Sequence, residues 1–410
     1  MFKRSKPASD PNLFSVTDHF LSESSMQTYH DANSWHNQFY AHICSRIEES
    51  VFADLYDEHA GVPNAPITLL VSMMVLKEAF GWSDAQLFEH CRFHLLVRKA
   101  LGLTNLDDPV PSASTYYLFR KRVYEYDQAH ATELMSQAFS RLTGEQLATF
   151  EVDGEQLRMD SKLFGSNIAW YSRYEVIHES LLKFCAHMSE ADWQALPADE
   201  RRKLEALTGE EPNKVVYYET KDQLTDRMQQ MGGGIYTLLS CLPDMDEQAC
   251  QLLRRVFTEQ YQLTSSVAEQ TEQIEVHSTE AISSDSVQSP HDPDCHYRRK
   301  GDQQVKGYVA NITETSGNAY RNLITATQVE PASHNDIDLL TPGLEASQQV
   351  SGVEPNKVHV DGGYQSPKHE HRWPETDMVY NGIQGRAPRY EHELTEEGLQ
   401  VYDSLTGQWH

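Results

Sequence analysis

Two short stretches carry residue types that could do metal-assisted chemistry. Arg158-Met159-Asp160-Ser161-Lys162 lies in a strand-like run from Thr149 to Phe164. Far downstream, Asn356-Lys357-Val358-His359-Val360-Asp361 forms a second short apolar strand that ends in an aspartate and runs into Gly362-Gly363-Tyr364. An aspartate at the end of a buried strand stands on a fixed backbone, so its carboxylate can be aimed at a cation. Glycines just after it let a substrate backbone come close. Asp-Ser and Asp-Gly-Gly are each ordinary turn sequences. The metal reading rests on the pair: two strand-end aspartates meeting on one edge of a sheet could hold a divalent ion.

The chain around them has 410 residues, enough for two or three domains, and its 39% hydrophobic and 10% aromatic content is that of a globular protein. No apolar run approaches the roughly 20 residues of a membrane span. The start, Met1-Phe2-Lys3-Arg4, lacks the apolar stretch of a signal peptide. Six cysteines without C-x-x-C spacing argue against a zinc ribbon or disulfide framework and suit a reduced, cytoplasmic protein. Lys plus Arg 34 against Asp plus Glu 61 gives a net charge of −27, so any nucleic-acid surface must be local. Candidates are Lys3-Arg4-Ser5-Lys6, Arg120-Lys121-Arg122, Arg201-Arg202-Lys203 and Arg298-Arg299-Lys300.

Hydrophobic periodicity supplies the elements that must position these residues. Residues 1–30 read as a polar arm. Helical spacing then predicts one amphipathic helix from Trp35 to Tyr56, a buried helix from Ile67 to Phe80 closed by Gly81, and a short helix opened by the Ser83/Gln86 capping-box pattern. His94 to Leu101 reads as a further helix, followed by one from Ser112 or Ser114 that carries Tyr116, Arg120, Lys121 and Arg122. Short helices, tight turns and a basic, aromatic helix suit either a helix-turn-helix or a helical bundle with a solvated basic face. Glu133 to Leu147 continues helical, and the period changes at Thr149, with Asp153-Gly154 as a hairpin turn among solvated Glu151, Asp153 and Glu155.

Asn167 to Met188 reads as helix. Residues 189–285 form a helical insertion, with stretches Trp193 to Leu207 and Leu252 to Thr264 and a turn at Gly232-Gly233-Gly234. Strands follow at Gln304–Ile312 and Asn322–Val329, then a helix from Asp336 to Val350 capped by Asn335, the Asp361 strand, and a short strand Asp377–Tyr380. The tail after Gly382 is weakly patterned. His369-Glu370-His371 and Cys295-His296 are isolated polar groups rather than metal clusters. These readings divide the chain into an arm (1–30), a helical domain (31–147), a core in two pieces (148–188 and 286–385), the insertion (189–285) and a tail (386–410). The class is α+β: a helical N-terminal domain, then a mixed α/β core whose strand, strand, strand, helix, strand order is that of a ribonuclease-H-like sheet.

Several motifs together carry a family resemblance. Arg158-Met159-Asp160-Ser161-Lys162 with Ser166-Asn167-Ile168-Ala169, Ser289-Pro290-His291-Asp292-Pro293-Asp294, Arg299-Lys300-Gly301-Asp302, Lys306-Gly307-Tyr308 and Val360-Asp361-Gly362-Gly363-Tyr364-Gln365-Ser366 resemble bacterial insertion-sequence transposases of the DDE type. Residues 35–125 are similar to the helical N-terminal domain of those proteins. The resemblance implies a cut-and-paste recombinase in which Asp160 and Asp361 are the first two catalytic, metal-binding acids. It implies Mg²⁺ (or Mn²⁺) as cofactor, which oxygen ligands without a Cys or His cage favour. It further implies double-stranded DNA at element ends as partner, a homo-oligomer, and a cytoplasmic, nucleoid-associated location without membrane contact. Arg120, Lys121, Arg122, Arg298, Arg299 and Lys300 are the expected DNA contacts. The family's third acid, a glutamate on a later helix, has no clear match: Glu370, Glu375, Glu391, Glu393, Glu396 and Glu397 lie in no convincing long helix. The expectation is therefore a truncated transposase, severely impaired in cleavage. The alternatives are a remnant that binds DNA or transposase subunits without cutting, and an acidic scaffold that retains only the fold.

Overall fold

The structure, a computed structural model, describes residues 1–4, 20–57, 59, 61–105, 107–242, 247–265, 272–317, 321–365, 372–381, 390–395, 398–403 and 408–409. Helices lead: α1 Glu23–His30, α2 Trp35–His42, α3 Ile67–Phe80, α4 Asp84–Phe93, α5 Leu95–Ala100, α6 Ala113–His130 and α7 Leu134–Phe150. The nearly all-round apolar α3 is central, its Leu70, Met73 and Leu76 buried in one cluster with Phe52, Leu87, Tyr116 and Phe119. Gly81 ends α3 in the left-handed region at φ 64°, where glycine pays no Cβ penalty. Ser83 and Gln86 form the reciprocal capping box of α4, and Ser112 caps α6.

The run from Trp35 to Tyr56 is not one helix. α2 stops at His42, and two 3₁₀ turns, Cys44–Arg46 and Glu49–Leu55, follow. The reason is tertiary: buried Glu49 reaches α3, where its Oε1 accepts hydrogen bonds from the N–H groups of Ile67 (3.0 Å) and Thr68 (3.1 Å). A continuous helix would carry this cap away from a helix start that Pro66 leaves without a side-chain acceptor.

The change of period falls later than Thr149. Thr149 and Phe150 belong to α7, and Glu151 terminates it at φ 55°. Asp153-Gly154 is therefore a helix-to-strand link rather than a hairpin turn, and β1 begins at Gln156 and runs to Gly165. β1 pairs antiparallel with β5 (Gln303–Thr315) on one side and parallel with β7 (Lys357–Asp361) on the other. β5 pairs with β4 (His296–Lys300) along its first part and with β6 (Ile324–Pro331) along the rest, while β7 pairs parallel with β8 (Asp377–Asn381). A parallel return needs a crossover, and α14 (Asp336–Ser351) supplies it between β6 and β7. Asn335 precedes α14 but makes no side-chain cap. The helix packs on β5 and β6. It sits so close that a Cβ at Gly343 would lie 2.7 Å from the Met159 methyl. Leu157, Met159, Leu340, Leu344, Val358, Val360, Tyr364 and Trp373 fill the space between.

Between β1 and β4 lie α8 (Arg173–Cys185), α9 (Glu190–Ala195), α10 (Ala198–Thr208), α11 (Pro212–Tyr218), α12 (Lys221–Cys241) and α13 (Glu247–Gln260). They share a separate core that includes Ile177, Leu181, Leu204, Met231, Ile235 and Leu253. α8 starts at Arg173 rather than Asn167, because Ser172 and Glu175 make its capping box. Gly232-Gly233-Gly234 lies inside α12 and is not a turn. A Cβ at Gly232 would come 2.6 Å from the Tyr261 ring and one at Gly234 2.8 Å from Leu204, so these glycines permit close packing. The helical spacing read through Thr264 ends at Gln260, and β2 (Tyr261–Ser265) pairs with β3 (Glu272–Val276) as an antiparallel hairpin. The tail holds a three-stranded antiparallel sheet of β9 (Tyr390–Thr395), β10 (Gly398–Asp403) and β11 (Gln408–Trp409). Among the described residues no helix is long and apolar enough to cross a membrane. The molecule is thus α+β, a helical N-terminal region followed by a mixed sheet with helices.

Candidate functional site

Strand alternation decides which side chains share a face. On β1, Leu157 and Met159 are buried, while Arg158, Asp160, Lys162 and Phe164 are exposed on the opposite face. On β7, Val358 and Val360 are buried and His359 and Asp361 alternate with them. The parallel ladder runs Gln156↔Lys357, Leu157↔Val358, Arg158↔His359 and ends there, two residues before Asp160 and Asp361. Both aspartates line one open pocket of about 1000 Å³, together with Arg158, Lys162, Glu314, His359 and Asn381. One oxygen of each is held by backbone: Asp160 Oδ1 accepts from the N–H of Ser161 (2.9 Å) and Asp361 Oδ1 from that of Gly363 (2.8 Å). The donor set suits a hard divalent ion, since it consists of carboxylate oxygens with no thiolate.

Among the described residues no group of three or more His, Cys, Asp or Glu side chains converges as a cage. Of the glutamates considered for a third acid, Glu375 is exposed in the turn before β8, and Glu391 and Glu393 are in β9. Glu370, Glu396 and Glu397 lie outside the described residues, as do His369 and His371.

Behind the aspartates is a buried polar layer. Tyr364 is fully buried and its hydroxyl donates to Asn311 Oδ1 at 2.8 Å. Burial above all raises its phenol above the ordinary range; the charges of Asp336, Asp361 and Asp160 add to this, against a hydrogen bond with Ser161. All three carboxylates therefore act on one ring. Asp336 was not singled out by sequence, because an aspartate after Asn335 at a helix start is indistinguishable from a plain cap.

The expected DNA contacts separate. Arg298 on β4 is turned inward: its Nη1 donates to the carbonyls of Ala332 (3.3 Å) and His334 (2.7 Å) and lies 3.9 Å from Asp336 Oδ1. It serves this loop rather than solvent. Arg299 and Lys300 are exposed at the end of the same strand. On α6, Arg120 and Lys121 are exposed, Lys121 pairing with Glu125 at 3.5 Å, whereas Arg122 is half-buried with its guanidinium over the Tyr56 ring.

Other motif residues form a joint. Asp292 accepts hydrogen bonds from the Tyr308 hydroxyl (2.5 Å) and from Ser166 Oγ, and Lys306 Nζ donates to the Tyr171 carbonyl (2.8 Å) while covering the Trp170 ring. Any side chain at Gly307 would collide with the Phe164 carbonyl of β1. These residues fasten the stem of the insertion to β1 and β5.

Residues 27–122 match the family described as a transposase domain (DUF772). The matched stretch lies within the helical region and ends inside α6, at the basic cluster. No curated protein and no solved structure matches the chain. The match associates the chain with transposases.

Proposed function

We propose that the chain is a DNA transposase that performs metal-dependent phosphodiester cleavage and strand transfer at element ends. The observation that carries this is the placement of Asp160 and Asp361 on adjacent parallel strands, facing one pocket, in a chain whose helical region resembles a transposase domain. An antiparallel hairpin on one side of β1, parallel strands on the other and a crossover helix between them support a ribonuclease-H-like reading of the sheet.

In this reading Asp160 and Asp361 are the residues that would hold Mg²⁺ or Mn²⁺ through their carboxylates. A divalent ion there would supply Lewis acidity, activating water or a 3′-hydroxyl and stabilising the leaving oxygen. Lys162 stands two residues from Asp160 on the same exposed face, about 6.8 Å along the strand, and can take a neighbouring phosphate. Arg158 is neutralised by Glu314 at 2.5 Å, so Lys162 is the cation on β1 that is offered to substrate. Arg120 and Lys121 give the helical region a basic face for duplex.

The test is Mg²⁺- or Mn²⁺-dependent nicking of a duplex carrying an element end. Two aspartates hold a metal weakly, so slow cleavage at best is expected, abolished in Asp160→Ala and Asp361→Ala. Nicking that survives both substitutions overturns the assignment. Robust cleavage that Asp160→Ala removes would mean that a further acid completes the site. A second reading, duplex binding without cleavage, is favoured by the confinement of the family match to residues 27–122. It predicts duplex retention with no nicking under either ion.

A further inference from the structure

Asp336 opens α14, in the first turn where free backbone N–H groups favour an anion, and it is buried at 8% exposure. Its Oδ1 accepts a hydrogen bond of 2.8 Å from Ser161 Oγ, the side chain next to Asp160 on β1. Its Oδ2 faces the turn that follows Asp361: a Cβ built on Gly363 would lie 3.2 Å from Asp336 Oδ2 and 3.0 Å from Asp361 Oδ1. The two carboxylates, from different elements, thus converge on the side of Gly363 where a Cβ would stand. Arg298, itself tied to the carbonyls of Ala332 and His334, lies 3.9 Å from the same Asp336 Oδ1.

The β1–β7 ladder stops at Arg158↔His359. Past that point backbone pairing no longer sets the separation of the two strand ends, although both site aspartates lie there. We infer that Asp336 is a positioning residue for the Asp160–Asp361 pair, holding the end of β1 through Ser161 and seating the Gly362–Tyr364 turn that orients Asp361. This rests on the reading of the pair as a metal site. The role is one of shape and hydrogen bonding, since a side chain behind a ligand sets the direction of that ligand.

Mn²⁺ titration of the full chain followed by EPR tests this, alongside thermal unfolding in EDTA. The unaltered chain should bind Mn²⁺ and Asp160→Ala should not. Asp336→Ala should weaken binding by about tenfold or more, the usual loss when a residue supporting a metal ligand is removed. Asp336→Asn keeps an acceptor for Ser161 Oγ and should restore most of the affinity. Ser161→Ala should weaken binding in the same direction as Asp336→Ala.

Unchanged Mn²⁺ affinity in a folded Asp336→Ala overturns the inference and leaves the metal reading standing. Asp336→Asn as weak as Asp336→Ala overturns the hydrogen-bond account. Where Asp336→Ala does not fold, Ser161→Ala, which removes a single hydroxyl, decides, and unchanged affinity again overturns the inference. No Mn²⁺ binding by the unaltered chain, or binding unmoved by Asp160→Ala, overturns the metal reading and the inference with it.

Discussion

Arg298 and Arg299 are neighbours on one strand, yet their side chains do different work. Arg298 satisfies two carbonyls and stands beside a buried carboxylate, whereas Arg299 and Lys300 reach solvent. Arg298→Ala should therefore lower stability by about 1–3 kcal/mol, the worth of charge-assisted hydrogen bonds to groups left unpaired. DNA retention should change little. Arg299→Ala and Lys300→Ala should leave stability within about 0.5 kcal/mol. Urea unfolding read beside filter binding separates the two classes, and equal stability loss in all three would refute the division. His296, on the same strand, gives a pH prediction. Burial first, then the Arg255 charge, holds its imidazole below the ordinary value, and its Nδ1 lies 2.7 Å from Ser333 Oγ. The folded chain thus prefers neutral His296. Its contribution to stability is present above the unfolded pKa of about 6.5 and is lost as pH falls through that value towards the lower folded one. His296→Asn should flatten the decline in unfolding free energy between pH 7 and 5; an unchanged slope would place the effect elsewhere.

Helix α12 shows what an element gains from residues that weaken it locally. Glycine in a helix interior costs about 0.5–1 kcal/mol relative to alanine, and α12 carries three in succession. Two of them admit neighbours: the Tyr261 ring lies against Gly232 and Leu204 against Gly234, while nothing comes within 4 Å of a Cβ at Gly233. Gly233→Ala should accordingly stabilise the protein by about 0.5–1 kcal/mol. Gly232→Ala should destabilise it by about 1–3 kcal/mol through overpacking against Tyr261. Thermal melts of the two variants should move in opposite directions, and parallel shifts would mean that the Tyr261 ring does not constrain the helix. The same logic holds α14 on the sheet at Gly343, where the Met159 methyl leaves no room for a Cβ.

For the whole molecule, a net charge of −27 repels DNA at long range, so the proposed duplex binding requires exposed cations that touch the phosphates directly. At about 0.1 M salt the Debye length is about 10 Å. Arg120 and Lys121 on α6 can then act locally without cancelling the overall repulsion. Exchanging Arg120, Lys121 and Arg122 together for Glu should abolish salt-sensitive retention of duplex, and the slope of log affinity against log salt should shrink by about one for each phosphate no longer neutralised. Lys121→Glu alone should act through charge, because its side chain is exposed; Arg122→Glu should also cost stability, because its guanidinium lies over Tyr56. Retention unchanged in the triple variant would move the duplex site off α6.

Local features were legible from the residues in order. Ile67–Phe80, its stop at Gly81 and the Ser83/Gln86 cap follow from interactions within about four residues along the chain, the range over which helix signals act. Tertiary structure alone decided the rest, because its causes are distant in sequence. Glu49 breaks the expected helix at Trp35–Tyr56 by capping α3, Thr149 and Phe150 stay helical because α7 continues to the Glu151 terminus, and Gly232 sits in a helix because Tyr261 packs on it. That Asp160 and Asp361 line one pocket depends on β1 and β7 being neighbours in the sheet, which no periodicity within either strand encodes. Asp336 and Arg298 became interpretable only once α14, β4 and the two strand ends stood side by side, since a buried carboxylate takes its meaning from the groups that surround it.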